Sequence, residues 1–135
     1  MIGRPFIAFA LLALAVAPAA PAVAQPDLSG VYQTAGTNPD GSAYSGETEI
    51  SRNGEAYRVV QHVGGMAEGT GIVSGDVLAV SFPEAGWVAA YEIQPDGTLE
   101  GVWAQTGGSA LGRERLTPEG GGASDSEPNA ARPVR

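Results

Sequence analysis

The chain reads as all-β, an antiparallel meander of about eight strands that closes, or nearly closes, into a small β-barrel. Three observations carry this reading. Turn signals recur roughly every 10 to 14 residues. The runs between them alternate apolar and polar side chains with period two. Beyond the first residues there is no helical periodicity.

The first run holds Leu28 and Tyr32 and ends at Asn38-Pro39-Asp40-Gly41. In the second, Tyr44 and Ile50 take one face while Glu47 and Glu49 take the other, as the pleat requires. Asn53-Gly54 follows, a pair suited to a two-residue type I′ hairpin turn. Tyr57, Val59, Gln61 and Val63 share one side of the third run, closed by Gly64-Gly65. Gly69 and Gly71 lie in the fourth, before Ser74-Gly75-Asp76. Leu78, Val80 and Phe82 line the fifth, up to Pro83-Glu84-Ala85-Gly86. Trp87, Ala89, Tyr91 and Ile93 line the sixth, up to Pro95-Asp96-Gly97. Leu99, Gly101 and Trp103 define the seventh, and after Gly107-Gly108 the eighth carries Glu114 and Leu116.

Short reversing turns between successive apolar faces make neighbouring strands pair antiparallel. An open sheet would leave two unpaired edges, and closure of about eight strands removes them. Gly46, Gly69, Gly71 and Gly101 cost stability in a flat sheet but suit sharp bends and close backbone approach. A small two-sheet sandwich is the alternative. Leu28-Ser29-Gly30-Val31-Tyr32 echoes Leu99-Glu100-Gly101-Val102-Trp103. Each places a glycine two residues before an aromatic, so that the ring covers the bare backbone of a neighbour.

Residues 1–24 read as a signal peptide: Arg4 supplies the positive start, Phe6 to Val16 the apolar run, and Ala22-Val23-Ala24 the small-x-small cleavage site. The run is too short for the roughly 20 residues of a membrane-crossing helix. Residues 25–118 form the expected barrel domain. Residues 119–135, rich in Gly, Ser, Asp, Glu and Pro, form an expected disordered tail. The protein is expected to be a monomer in the periplasm or secreted. With no cysteine, its stability must come from sheet closure and apolar packing.

The formal net charge is −8 with no lysine, which argues against nucleic acid and against an anionic membrane surface. Catalysis by a hydrolytic triad would have to pass through His62, the sole histidine, which sits mid-strand with no nucleophile motif beside it. A histidine or cysteine metal cluster is excluded by the same counts. Glu47 and Glu49 share a solvent-facing side. Asn38-Pro39-Asp40-Gly41-Ser42 alternates oxygen ligands but lacks the distant acid of a calcium loop, and reads as a plain turn. No enzyme activity, cofactor or metal is expected.

Glu114 points inward if Leu116 does, so it requires hydrogen bonds or a cation. Tyr32, Tyr44 and Arg58 are the candidate partners. It is either a polar plug satisfied by tyrosine hydroxyls or an anchor for a small polar ligand. The candidate interior site comprises Tyr32, Tyr44, Tyr57, Trp87, Tyr91, Trp103 and Glu114.

The stretch Gly36 to Gly46, with Gly69-Thr70-Gly71-Ile72-Val73-Ser74-Gly75-Asp76-Val77-Leu78 and Thr98-Leu99-Glu100-Gly101-Val102-Trp103, resembles a family of small exported bacterial β-domains described as fibronectin-binding-like. The resemblance spans about residues 28 to 117 and implies an exported, adhesin-like protein that meets a protein partner. The meander and the Gly101-Val102-Trp103 strand are also similar to avidin and lipocalin-style barrels, which implies a small-ligand carrier. In size and location the chain is similar to bacterial protease-inhibitor barrels, though it lacks their cysteines. Interior volume separates these readings: a pocket of a few hundred cubic ångströms favours a ligand, a filled interior a surface role.

Overall fold

In the computed structural model, which describes residues 26–120 together with Gly3, eight strands follow one another and close. They are β1 (Gly30–Thr37), β2 (Ala43–Asn53), β3 (Ala56–His62), β4 (Met66–Ser74), β5 (Val77–Phe82), β6 (Trp87–Ile93), β7 (Leu99–Gln105) and β8 (Gly112–Pro118). Each pairs antiparallel with the next, and β8 returns to β1 in the register Thr34 to Leu116 and Gly36 to Glu114. The sheet therefore has no free edge, and the sandwich alternative falls. The expected signal peptide, apart from Gly3, and the tail beyond Gly120 lie outside the described residues. Glu119 still donates its amide to Val31 O at 2.8 Å.

All seven turns carry a glycine in the left-handed region: Gly41, Gly54, Gly64, Gly75, Gly86, Gly97 and Gly107. This is why the turn signals could be read from the sequence with so little else. One turn differs in detail. Asn53 pairs with Ala56, so the two central residues are Gly54-Glu55 and not Asn53-Gly54. The glycine comes first, the order of a type II′ turn rather than the expected I′.

Alternation fills the interior with Leu28, Tyr32, Ile50, Tyr57, Val59, Leu78, Val80, Phe82, Ala89, Tyr91, Leu99 and Leu116. Each large side chain taken from water contributes about 1.5–3 kcal/mol. Val60 is the exception to the pattern, buried although the pleat turns it outward. Its strand partners explain this. Glu49 and Glu68 flank it, and these carboxylates pair with His62 at 3.2 Å and Arg58 at 2.8 Å, so two side-chain bridges cover the valine.

Large aromatics lie across inward glycines of the adjacent strand. A Cβ on Gly101 would meet Tyr91 Cδ1 at 2.6 Å, and one on Gly69 would meet Phe82 Cδ1 at 2.9 Å. Gly112 lies under the Trp103 indole and Gly36 under the Tyr44 ring in the same way. The strand glycines thus let bulky rings lie flat inside a narrow barrel. The echo noticed in the sequence has this meaning for Trp103, whereas Tyr32 reaches Leu28 instead.

Gly112→Ala is expected to destabilise the protein by about 1–3 kcal/mol through overpacking against Trp103. In a Trp103→Ala background the same change should cost much less. Urea midpoints of the wild type, the two single variants and the double variant test this, and strictly additive costs would contradict the close approach.

Candidate functional site

A closed meander separates its turns into two ends. The β2–β3, β4–β5 and β6–β7 turns share one end with the Pro26–Ser29 segment, whose Leu28 plugs the interior beneath a surface groove of about 460 Å³. Leu28 is buried there, Tyr32 Oη donates to Leu28 O at 2.7 Å, and Leu28 N reaches Tyr57 Oη at 3.5 Å. Arg52 stands 5.2 Å from the Tyr57 ring centroid. Tyr32 and Tyr57, both expected in the interior site, therefore belong to the closed end.

The β1–β2, β3–β4, β5–β6 and β7–β8 turns surround the other end, where the barrel opens into a cavity of about 440 Å³. Its walls include Tyr44, Trp87 and Trp103, with Asn38, Met66 and Gln105 also lining it and Gln61 on its inner side. Trp87 and Trp103 stand 5.8 Å apart at 61°, and Tyr44 and Trp103 6.4 Å apart at 68°. These steep angles make adjoining walls. Phe82 stacks on Trp87 at 3.9 Å and 19°, fixing the wall from behind. Gly86 N donates to Phe82 O, and Thr106 N to Gly86 O, each at 2.8 Å, so backbone bonds tie these turns together.

Below this end lies Glu114, only 4% exposed. Its Oε2 accepts from Tyr44 Oη at 2.7 Å; its Oε1 accepts from Gln61 Nε2 at 2.9 Å and from the Tyr91 hydroxyl. Gln61 Nε2 also donates to Thr48 Oγ1 at 3.1 Å, which shares a hydrogen bond with Thr34 Oγ1 at 2.7 Å. One polar layer thus draws on β1, β2, β3, β6 and β8. Burial, then the Glu114 charge, push the Tyr91 hydroxyl well above its ordinary value. Burial, then the hydrogen bond to Glu114, push Tyr44 up as well.

The expected partners of Glu114 are partly corrected. Tyr44 is one. Tyr32 is at the far end, and Arg58 sits between the inward residues Tyr57 and Val59, so the pleat sends it outward to Glu68. Of the expected site residues, Tyr44, Trp87 and Trp103 meet at the cavity, with Tyr91 and Glu114 beneath them. Gln61, Thr48 and Thr34 were missed as site residues. Their signal was available: each is polar at an inward position of an otherwise apolar face.

Trp103 Nε1 is buried and lacks a hydrogen-bond partner, alone in this among the side chains of the described residues. Its influence falls on the Tyr44 hydroxyl, whose rise it tempers without reaching hydrogen-bond geometry. An orphaned donor of this kind costs about 1–3 kcal/mol.

His62 faces outward beside Glu49, away from the cavity. Among the described residues no three His, Cys, Asp or Glu side chains are grouped to hold a metal ion. The Asn38–Ser42 segment is a self-satisfied turn, with Ser42 N donating to Asp40 Oδ1 at 2.9 Å and Gly41 N to Asn38 O at 2.8 Å.

The raised tyrosines have a consequence at alkaline pH. Tyr32 is pushed up to about 12, chiefly by burial, and Tyr44 and Tyr91 move in the same direction from the ordinary 10.0. A group that holds its proton more tightly when folded contributes stability that is full below the unfolded value and is lost as pH rises above it. Stability should therefore fall progressively above pH 10. Tyrosinate absorbance followed beside near-ultraviolet circular dichroism checks this: these tyrosines should ionise together with loss of tertiary structure, and their ionisation in an intact fold would contradict the buried network.

No family model matches the chain, and no curated protein matches it. Solved structures do. A redesigned β-barrel is similar with a TM-score of 0.53 at 18% identity, covering 68% of this chain and 91% of that one. A redesigned β-barrel, mFAP1, bound to DFHBI, has a TM-score of 0.50 at 22% identity, with 65% and 93% covered. EF1p2_mFAP2b bound to DFHBI has a TM-score of 0.52 at 19% identity, with 68% and 94% covered. At these identities the likeness is one of fold, and it agrees with the closed barrel.

Proposed function

We propose that this chain is an exported, non-enzymatic binding protein that holds a small molecule in the open end of its barrel, as a carrier of the avidin and lipocalin style does. The observation that carries the reading is the cavity of about 440 Å³ walled by Tyr44, Trp87 and Trp103. Its size lies in the range of roughly 300–1,000 Å³ typical of small-molecule sites, and its lining has their character, mostly apolar with a few placed polar groups. The DFHBI held by two similar barrels supports the capacity of such a fold for a small ligand. Export rests on the Arg4, Phe6–Val16 and Ala22-Val23-Ala24 pattern.

A protein-binding, adhesin-like role is the second reading. It rests on the resemblance to fibronectin-binding-like exported domains and on one row of the outer face. Ile72, Ala79, Ala90 and Val102 are consecutive cross-strand partners on β4 to β7, and Ile72 is 59% exposed. Such a row of apolar and small side chains suits a flat contact.

Native mass spectrometry of the protein purified gently from its source organism tests the two. A retained mass on the order of a few hundred daltons is expected of a ligand with this cavity. Trp87→Ala should weaken retention by about tenfold or more, as loss of a central aromatic anchor does. A bare protein, together with unchanged tryptophan fluorescence on exposure to extracts of its surroundings, would overturn the carrier reading in favour of the outer face.

A further inference from the structure

Resting on the reading of the cavity as a small-ligand site, we infer that its ligand is an organic cation of the alkylammonium class. Three features of the open end point the same way. Tyr44, Trp87 and Trp103 bound the space on adjoining sides, and the faces of such rings attract ammonium groups, tryptophan most strongly. No charged side chain lines the cavity among the described residues. Beneath it, the buried Glu114 is satisfied by neutral donors only, Tyr44, Gln61 and Tyr91.

Among the described residues, the arginines are engaged or turned elsewhere. Arg58 pairs with Glu68 and Arg115 with Glu100, Arg52 lies over Tyr57 at the closed end, and Arg113 is on the outward side of β8. The negative charge of Glu114 is thus uncompensated by any cation among the described residues, and it lies in a low-dielectric interior where charge acts over distance. The chain as a whole carries −8. A cation entering the open end gains from the rings, from Glu114 and from the overall field. An anion meets the opposite of all three. A neutral apolar molecule gains only contact with the walls.

Two of the lining polar side chains, Gln61 and Asn38, agree. Gln61 directs its N–H donors to Glu114 and Thr48, so the amide oxygen is what it can offer to the cavity. Asn38 likewise directs its Nδ2 to Ser42. Carbonyl oxygens are acceptors, suited to the positively polarised hydrogens around an ammonium centre.

A pair of probes of the same shape isolates the charge. Acetylcholine carries a trimethylammonium group, and 3,3-dimethylbutyl acetate replaces its nitrogen with carbon. In a tryptophan-fluorescence titration of the wild-type protein, the cation should bind at least about tenfold more tightly than its neutral counterpart. In Glu114→Gln the gap should narrow; should that variant misfold, the wild-type comparison decides alone. Equal or tighter binding of the neutral probe overturns the cation and leaves the cavity reading standing. Binding of neither probe, while native mass spectrometry shows a retained neutral or anionic molecule, does the same. Binding of neither probe with nothing retained overturns both.

Discussion

The structure depends on how one buried carboxylate is satisfied. Glu114 is on β8, and its hydrogen-bond donors come from β2, β3 and β6, so the bonds span the interior instead of running around the wall. Such a group tolerates burial only when all its demands are met together. Closure, register and side-chain placement are coupled through it. A slip of one residue on any of these strands would turn its contributing side chain outward. The network therefore specifies this barrel against its neighbours in register, which apolar side chains of similar size do far less sharply. It also marks a boundary. On one side lie Leu78, Leu99, Leu116 and Val59, fully buried; on the other, the aromatic walls surround open space.

The two ends are closed and left open by different means. At the closed end the chain supplies its own plug, Leu28, held by backbone bonds to tyrosine hydroxyls. At the open end no segment of the described residues enters. The walls hold their places because each is fixed from behind: Trp87 by the stacked ring of Phe82, Trp103 by the bare backbone of Gly112, Tyr44 by Gly36 and by its bond to Glu114. Rings braced in this way would lose little side-chain freedom to the ligand proposed above, which is how a small cavity gains affinity.

Much of the fold was legible because its signals are local. Each turn is marked by a glycine that the backbone needs at positive φ, and each strand by an alternation that survives averaging over neighbours. The type of the Asn53 turn was not legible, since a one-residue choice of register exchanges Asn53-Gly54 for Gly54-Glu55 and only pairing across β2 and β3 decides it. The inward direction of Glu114 followed from Leu116, but of its partners only Tyr44 was named. Tyr91 and Gln61 come from strands distant in sequence, and their convergence is a property of closure. Tyr32 and Tyr57 share an inward face with the residues that line the cavity, yet lie at the opposite end. Period two tells inside from outside and is silent about height along the barrel axis. Height follows only when the tilt and register of all eight strands are known together.

That distinction bears on how the open end came to be polar at its base and aromatic at its walls. Thr34, Thr48 and Gln61 occupy inward positions where an apolar side chain would add stability, and Trp103 keeps a buried N–H without a partner. A barrel selected for stability alone would fill this space with leucine and remove the charge. Keeping Glu114 requires donors from three other strands, and keeping Trp103 flat requires glycine at position 112. Those demands together produce an electron-rich recess above a negative charge, within a barrel whose remaining core is mostly apolar. The departures from the most stable arrangement are concentrated at one end, and that is the physical reason for placing the proposed binding role in the interior of that end.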